Sequence, residues 1–256
     1  MWQALFLSGK ANQEKFLKSL ALACDYIWTA DGGLEHALDL KLKPNYHVGD
    51  DDSLGERGLR YLAEEKIPHL KFPEKKDEPD SALAIHLMLA KQEEDRFNTN
   101  AVPPLNSQRK NIFPTQSGIV LLAALGDRHD HVLANLDLAE RYARPDLPFL
   151  LTDGNSLIWI LKGPFSMQVP ECAIPGEGKA YFSLLALSDE VRGINLSGAL
   201  WPLENRQLFH GINLGLSNEF AADDKIYLSF ASGTLRFILS REDKENARLG
   251  RKYEKN

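Results

Sequence analysis

Three adjacent carboxylates, Asp50-Asp51-Asp52, stand between Gly49 and Ser53. Like charges this close repel one another, so a folded chain that keeps them needs a counter-charge. A divalent cation is the obvious one, since Mg2+ takes carboxylate oxygens together with substrate phosphates. In an extended run Asp50 and Asp52 would point to one side, where they could share a metal or flank a polyphosphate. A solvated turn with Ser53 as a helix cap is the plainer alternative. A second group, Lys75-Lys76-Asp77-Glu78-Pro79-Asp80, precedes a helical pattern. Pro79 suits a first helical turn. Asp77 or Asp80 would cap that helix, or both would ligate metal with Lys76 touching a phosphate. A third group is Gly126-Asp127-Arg128-His129-Asp130-His131. Placed between a strand and a helix, it would offer backbone N–H groups to an anion, and Arg128 could clamp phosphate in fork geometry. The alternative is a capped helix start with solvated charges. His129 and His131 supply only part of a zinc shell, and no matching Cys/His cluster stands out. Asp31-Gly32-Gly33 is either a place where the backbone approaches a nucleotide or a plain turn.

These groups fall at regular places along the chain. Gln3–Leu7, Tyr26–Ala30, Tyr46–Val48, His69–Phe72, Ile119–Leu125 and Phe149–Thr152 read as strands. Gln13–Leu22, Leu34–Leu40, Glu56–Glu65, Ser81–Leu89 and about Asp130–Tyr142 read as helices. Such alternation predicts an α/β domain with a largely parallel sheet, and ligands on such sheets bind outside the carboxyl ends of the strands. All four polar groups sit at those ends. Residues 91–117 are polar, contain three prolines and read as a surface insert. From about residue 154 the texture is all-β, with strand-like runs at Leu157–Leu161, Phe165–Val169, Tyr181–Ala186, Val191–Leu196, Lys225–Phe230 and Thr234–Leu239. That spacing predicts a small antiparallel sandwich or barrel. The expected organisation is an α/β domain over 1–153 carrying the insert, a β-sandwich over 154–240 and a charged tail over 241–256.

Composition narrows the function classes. A chain of 256 residues, 43% hydrophobic, makes one large domain or two modest ones with an ample core. Mean hydropathy is −0.31 and no apolar run reaches about 18 residues, so no transmembrane helix is expected. The apolar residues 1–9 lack a preceding positive region and do not read as a secretory signal. Two cysteines make no disulfide framework, which fits a reducing cytoplasm. A net charge of −6 with no basic block argues against a nucleic-acid partner.

The order of the groups resembles the thiamine pyrophosphokinase (thiamine diphosphokinase) family. ADGG at 30–33 is followed by KPNYHVGDDDS at 43–53, similar to P-x-x-x-x-G-D-x-D-S. PEKKDEPDSALA at 73–84 resembles K-D-x-T-D-x-x-x-A, and ALGDRHDHVLANL at 124–136 resembles G-G-R-x-D-H-x-x-x-N. In the all-β part, SGALWPLENRQL at 197–208 and GLSNEF at 215–220 match G-L-x-W-P-L and S-N-E. The resemblance covers about residues 25–240, interrupted by the insert.

The resemblance implies a pyrophosphoryl transfer from ATP to the thiamine hydroxyl, giving thiamine diphosphate and AMP. It implies a cytoplasmic homodimer with active sites between subunits. By matching position, Asp50, Asp52, Asp77 and Asp80 would be Mg2+ or phosphate-site acids and Arg128 would bind the polyphosphate. Asp31, Gly32, Gly33, Lys76 and Asp130 would line the nucleotide side. Trp201 would pack on thiamine, with Ser217 and Asn218 shaping its pocket; from the residues alone, Trp201 reads more readily as a sandwich-core aromatic. Four positions depart from the family pattern: Asp127 for Gly, Pro79 for Thr, Asp51 for an apolar or aromatic residue, and His129 between Arg128 and Asp130. Competing readings are a pyrophosphokinase of another alcohol such as a pterin, a metal-dependent phosphohydrolase, and a non-catalytic nucleotide or thiamine sensor.

Overall fold

A computed structural model describes residues 1–71, 79–97, 113–221 and 225–241. The chain forms two compact units: Met1–Tyr142 with Phe149–Gly154, and Ala143–Pro148 with the chain from Asn155.

The first unit holds six parallel strands. They are β1 (Trp2–Phe6), β2 (Tyr26–Ala30), β3 (Tyr46–Gly49), β4 (His69–Lys71), β5 (Gly118–Leu122) and β6 (Phe149–Thr152), in the order β6-β5-β1-β2-β3-β4. Every residue of β1 and β5 is buried, which is why these central strands read as continuous apolar runs rather than alternating ones. Helices α1 (Glu14–Ala23), α2 (Gly33–Asp39), α3 (Glu56–Glu65), α4 (Asp80–Phe97) and α5 (His129–Tyr142) complete the unit. In α1 the buried Leu17, Leu20 and Ala21 recur at helical spacing.

Polar residues also lie inside this core, among them Gln3, Thr29, His47 and Thr152. Gln3 of β1 is fully buried; its amide nitrogen donates to the Met88 carbonyl of α4 at 2.7 Å, and its oxygen accepts from the Trp28 indole at 2.9 Å. The amide thus joins β1, β2 and α4 with both ends satisfied.

The insert expected at 91–117 is structured at both described ends. Helix α4 continues to Phe97, held where Asp95 accepts from the Tyr26 hydroxyl at 2.9 Å and pairs with Lys91 at 3.0 Å. Burial, followed by Asp95, pushes the Tyr26 phenol up to about 12. At the other end Phe113 stacks on Trp2, centroids 3.9 Å apart, and the Trp2 indole donates to the Thr115 carbonyl at 2.9 Å. Glu93 and Glu94 stand in solvent within this helix, so their polarity does not mark its end. Lys76 and Asp77, the middle of the insert and the tail beyond Arg241 lie outside the described residues.

The second unit is all-β, with two antiparallel sheets. One has the order β12-β9-β14-β7, from β7 (Ser156–Lys162), β9 (Ala180–Ala186), β12 (Gly215–Glu219) and β14 (Thr234–Arg241). The other has the order β11-β10-β13-β8, from β8 (Phe165–Pro170), β10 (Glu190–Ser197), β11 (Leu203–Phe209) and β13 (Lys225–Phe230). Strict alternation in β8 and β9 turns Phe165, Met167, Val169, Phe182 and Leu184 inward. Strands β11 and β12, both at sheet edges, carry no such alternation: β11 is mostly exposed and the buried residues of β12, Gly215 and Asn218, are three apart, so their sequences give no period-two signal.

Replacing Gln3 by Leu keeps the volume but orphans the Trp28 indole N–H in the core. The expected loss of stability is about 1–3 kcal/mol, read as a lower urea midpoint with an unchanged m-value.

Candidate functional site

The site is built where the chain leaves β1, β2 and β5. Beyond β1 the backbone runs alongside the exit of β5: Leu7, Gly9 and Lys10 donate to the carbonyls of Leu122, Ala123 and Leu125 at 2.9, 2.8 and 2.7 Å. Beyond β2, α2 begins at Gly33, where a Cβ would fall on the Phe6 carbonyl. Glycine there lets the helix start press against β1. These three exits frame a cleft of about 510 Å3, lined among others by Asp31, Asp80, Ser81, Arg128 and Asn135. Gly32 and Gly33 stand behind Asp31 and pack the turn; neither is among the cleft's lining residues.

Each charged group of the cleft has a defined setting. Asp80 opens α4 and is almost fully buried. The Pro79 carbonyl accepts from Ala82 and Leu83, so Pro79 occupies the cap position and Asp80 is the first helical residue, not the cap. Its charge faces the positive end of the helix dipole. Asn135 of α5 donates to the Ala124 carbonyl at 2.9 Å and fixes the turn that carries Arg128. Arg128 makes a two-pronged contact with Asp130, at 2.9 and 2.6 Å. The hydrogen bonds from Arg128 hold the Asp130 carboxyl well below the usual carboxylate range. Asp127 pairs with Lys10 at 2.7 Å.

Asp50 and Asp52 stand on the turn after β3, at the same edge of the sheet but outside the cleft lining. The run is not extended: Asp51 has a left-handed backbone, φ 71°, and the Asp52 N–H donates to the Asp50 carboxylate at 3.2 Å. Gly49, φ 149°, precedes them; a Cβ there would strike the Asp31 carboxylate. Asp51 turns back to the sheet, where it meets His47 of β3 at 3.4 Å, His69 of β4 at 3.0 Å and Lys71 at 3.0 Å. Burial, followed by the neighbouring His69, pushes the His47 imidazole down to about 4. This cluster leaves little trace in the sequence. Its only signal was a histidine in each of two short strands, with Asp51 four residues after the first.

In the second unit Trp201, Ser217 and Asn218 come together. The Asn218 side chain accepts from the Trp201 N–H at 3.2 Å and donates to the Trp201 carbonyl at 2.8 Å. Ser217, φ 55°, donates its N–H to the Ser183 hydroxyl at 3.1 Å. The Trp201 side chain is exposed, so it is no sandwich-core aromatic.

Residues 17–151 match the family model "Thiamin pyrophosphokinase, catalytic domain", and residues 171–235 match "Thiamin pyrophosphokinase, vitamin B1 binding domain". The chain belongs to the thiamin pyrophosphokinase family. A thiamine pyrophosphokinase of Bacillus subtilis is 27% identical over 212 residues, 82% of this chain and 85% of that one. The fold is that of family structures. A crystal structure of thiamine pyrophosphokinase from Bacillus subtilis superposes with a TM-score of 0.72 at 23% identity, covering 95% of this chain and all of that one. Thiamin pyrophosphokinase from Candida albicans superposes with a TM-score of 0.70 at 18% identity, covering 94% and 89%.

For this thiamin pyrophosphokinase family member, the cleft gathers Asp31, Asp80 and Arg128, with Asp130 gripping the arginine from the side. The turn holding Asp50 and Asp52 is its neighbour along the sheet edge. Replacing Gly49 by Ala would force a left-handed alanine onto Asp31. The expected cost is about 1–3 kcal/mol, measured as a lower unfolding midpoint, with Gly211→Ala as the comparison because no atom lies within reach of a Cβ there.

Proposed function

We propose that this chain is a Mg2+-dependent thiamine pyrophosphokinase: it transfers the pyrophosphoryl group of ATP to the hydroxyl of thiamine, giving thiamine diphosphate and AMP. The observation that carries the reading is the gathering of Asp31, Asp80 and Arg128 in one cleft at the carboxyl ends of a parallel sheet, in a chain that matches both family domains. In the reaction the hydroxyl oxygen bonds to the β-phosphorus, the bond from that phosphorus to the bridging oxygen breaks, and AMP takes the electron pair. The hydroxyl gives up its proton. Such transfers depend on positioning and charge neutralisation more than on covalent help.

Carboxylates on the exits of neighbouring strands are hard oxygen donors, which suit Mg2+. Asp50, Asp52 and Asp80 would hold it, with Asp77 from the neighbouring segment. When bound, Mg2+ would supply positive charge that offsets the phosphate charge. Arg128 binds the polyphosphate, exchanging its solvent-exposed contact with Asp130 for phosphate oxygens. Asp31, Gly32 and Gly33 form the nucleotide side and Lys76 touches a phosphate. Trp201 supplies an aromatic wall for the thiamine cation, worth about 0.5–2 kcal/mol; Ser217 and Asn218 hold that wall in place.

In this reading residues 1–153 are the ATP domain and 154–240 the thiamine domain. The enzyme works as a homodimer with active sites between subunits. The exposed Leu200, Ile212, Leu214 and Leu216 of the second unit support this, as an apolar surface that a second copy would cover. The net charge speaks against nucleic-acid partners. No helix among the described residues is long and apolar enough to cross a membrane, and Cys24 is not in a disulfide; both accord with a cytoplasmic enzyme.

The deciding experiment follows AMP and thiamine diphosphate together, with ATP, Mg2+ and thiamine. Equal amounts of both, formed only with thiamine, are expected; AMP or ADP released regardless of thiamine would overturn the reading. Asp52→Asn and Asp80→Asn should each lower turnover by orders of magnitude with an unchanged circular-dichroism spectrum, and near-normal turnover in both would remove these acids from the machinery. Trp201→Ala should raise the KM for thiamine more than that for ATP; equal changes would take Trp201 off the thiamine wall.

A further inference from the structure

The geometry points to a transition-metal site of the zinc type formed by His47, Asp51 and His69, separate from the Mg2+ carboxylates and placed to fix the turn that carries Asp50 and Asp52. Thr29, His47 and His69 are register partners across β2, β3 and β4, so their side chains share one face of the sheet. The two imidazoles lie side by side, ring centroids 5.1 Å apart. Asp51 reaches them because its left-handed backbone folds the turn back over the strand ends.

The donor atoms are set for a common ion. One donor atom from each of His47, His69 and Asp51 lies within 4.8 Å of the other two. The two distances to Oδ1 are 3.4 and 3.0 Å. A tetrahedral shell with bonds of about 2.0–2.1 Å has edges of about 3.3 Å, so these distances bracket what such a shell needs. The first coordinating nitrogen is aimed by its neighbour: His47 Nδ1 is hydrogen-bonded to the buried Thr29 hydroxyl at 2.8 Å, which turns Nε2 toward Asp51. This is how outer partners orient metal-binding histidines. Lys71 contacts the other carboxylate oxygen at 3.0 Å, leaving Oδ1 for the ion.

Hydrogen bonding within the protein does not account for the cluster. Nε2 of both histidines and Oδ1 of Asp51 are buried and lack a hydrogen-bond partner. The contacts of Asp51 with Lys71 and His69 explain two of the distances. They leave His47, fully buried, with its second nitrogen aimed at a carboxylate it does not hydrogen-bond. Two nitrogens and one carboxylate oxygen favour Zn2+ or Co2+ over Mg2+, and three protein ligands leave a fourth position for water.

The test uses the full-length protein freed of metal with a chelator, then titrated with Co2+ and, in equilibrium dialysis, with Zn2+. One equivalent of Co2+ should bind with the intense visible bands of a tetrahedral ion, displaced by Zn2+ but not by Mg2+. His69→Ala and His69→Gln, at a partly exposed position, should bind Zn2+ at least about tenfold more weakly and lose the bands, each judged folded by circular dichroism. Asp52→Asn should keep the bands, which separates this site from the Mg2+ acids and leaves the pyrophosphokinase reading untouched by either result. Absence of stoichiometric Co2+ uptake, uptake unchanged in both His69 variants, or bands lost in Asp52→Asn would each overturn the proposal.

Discussion

The placement of the site depends on one constraint: β1 lies between β5 and β2 in the sheet, and its exit has nowhere to go but along the exit of β5. The backbone hydrogen bonds from Leu7, Gly9 and Lys10 to the carbonyls beyond β5 satisfy groups that would otherwise be stranded at the strand ends. They also bring two loops into fixed contact. Gly33 lets the start of α2 close on the same point from the β2 side. The cleft is the space left where these loops cannot fill the edge of the sheet, which is where open parallel sheets bind ligands in general. Gln3 serves the same end from inside, tying β1 to β2 and α4 so that the helix carrying Asp80 cannot shift without breaking a buried amide network.

Charge is arranged around this frame so that two departures from the family's sequence pattern meet a counter-charge. Asp127 would place a negative group beside Arg128, yet Lys10 takes it. Asp51 would sharpen the repulsion between Asp50 and Asp52, yet it leaves the run and joins the histidines and Lys71. The Arg128–Asp130 contact lies in solvent, where screening and hydration leave an ion pair weak. Such a contact can be broken at small cost. Pro79 gives up a backbone N–H that has no partner at a helix start in any case, and its carbonyl caps α4.

Much of this was legible in the sequence because burial writes a period. The continuous apolar runs of β1 and β5, the alternation of β8 and β9 and the helical spacing in α1 each follow from which face meets the core. Where an element meets solvent instead, the period disappears. Strand β11 was missed for that reason and β12 because its buried residues, Gly215 and Asn218, are three apart; the helical run to Phe97 looked like loop because Glu93 and Glu94 stand in solvent. The polar groups after β3 and β5 were readable since three to five ionisable residues stood together at each strand end, whereas after β2 only Asp31 stood beside two glycines. The His47–Asp51–His69 cluster was not, since it depends on strand register. A parallel ladder sets residues 22 apart side by side, and no local spacing records that.

Trp201 shows the limit of arguing from residue type. A tryptophan among β-strands reads as core because its area is worth most when buried. Here the buried group is its partner: the Asn218 amide sits inside and satisfies both backbone groups of Trp201, and Asn218 also accepts from the N–H of Glu219. A polar side chain performs the pairing that a neighbouring strand would otherwise provide. The backbone at Trp201 is thereby fixed while the ring stays in solvent, together with Leu200, Leu214 and Leu216. Holding a large apolar ring in water costs hydrophobic free energy that the fold does not recover within this unit. A ligand or a second chain that covered the ring would gain that free energy, and the buried asparagine fixes the backbone that would present it.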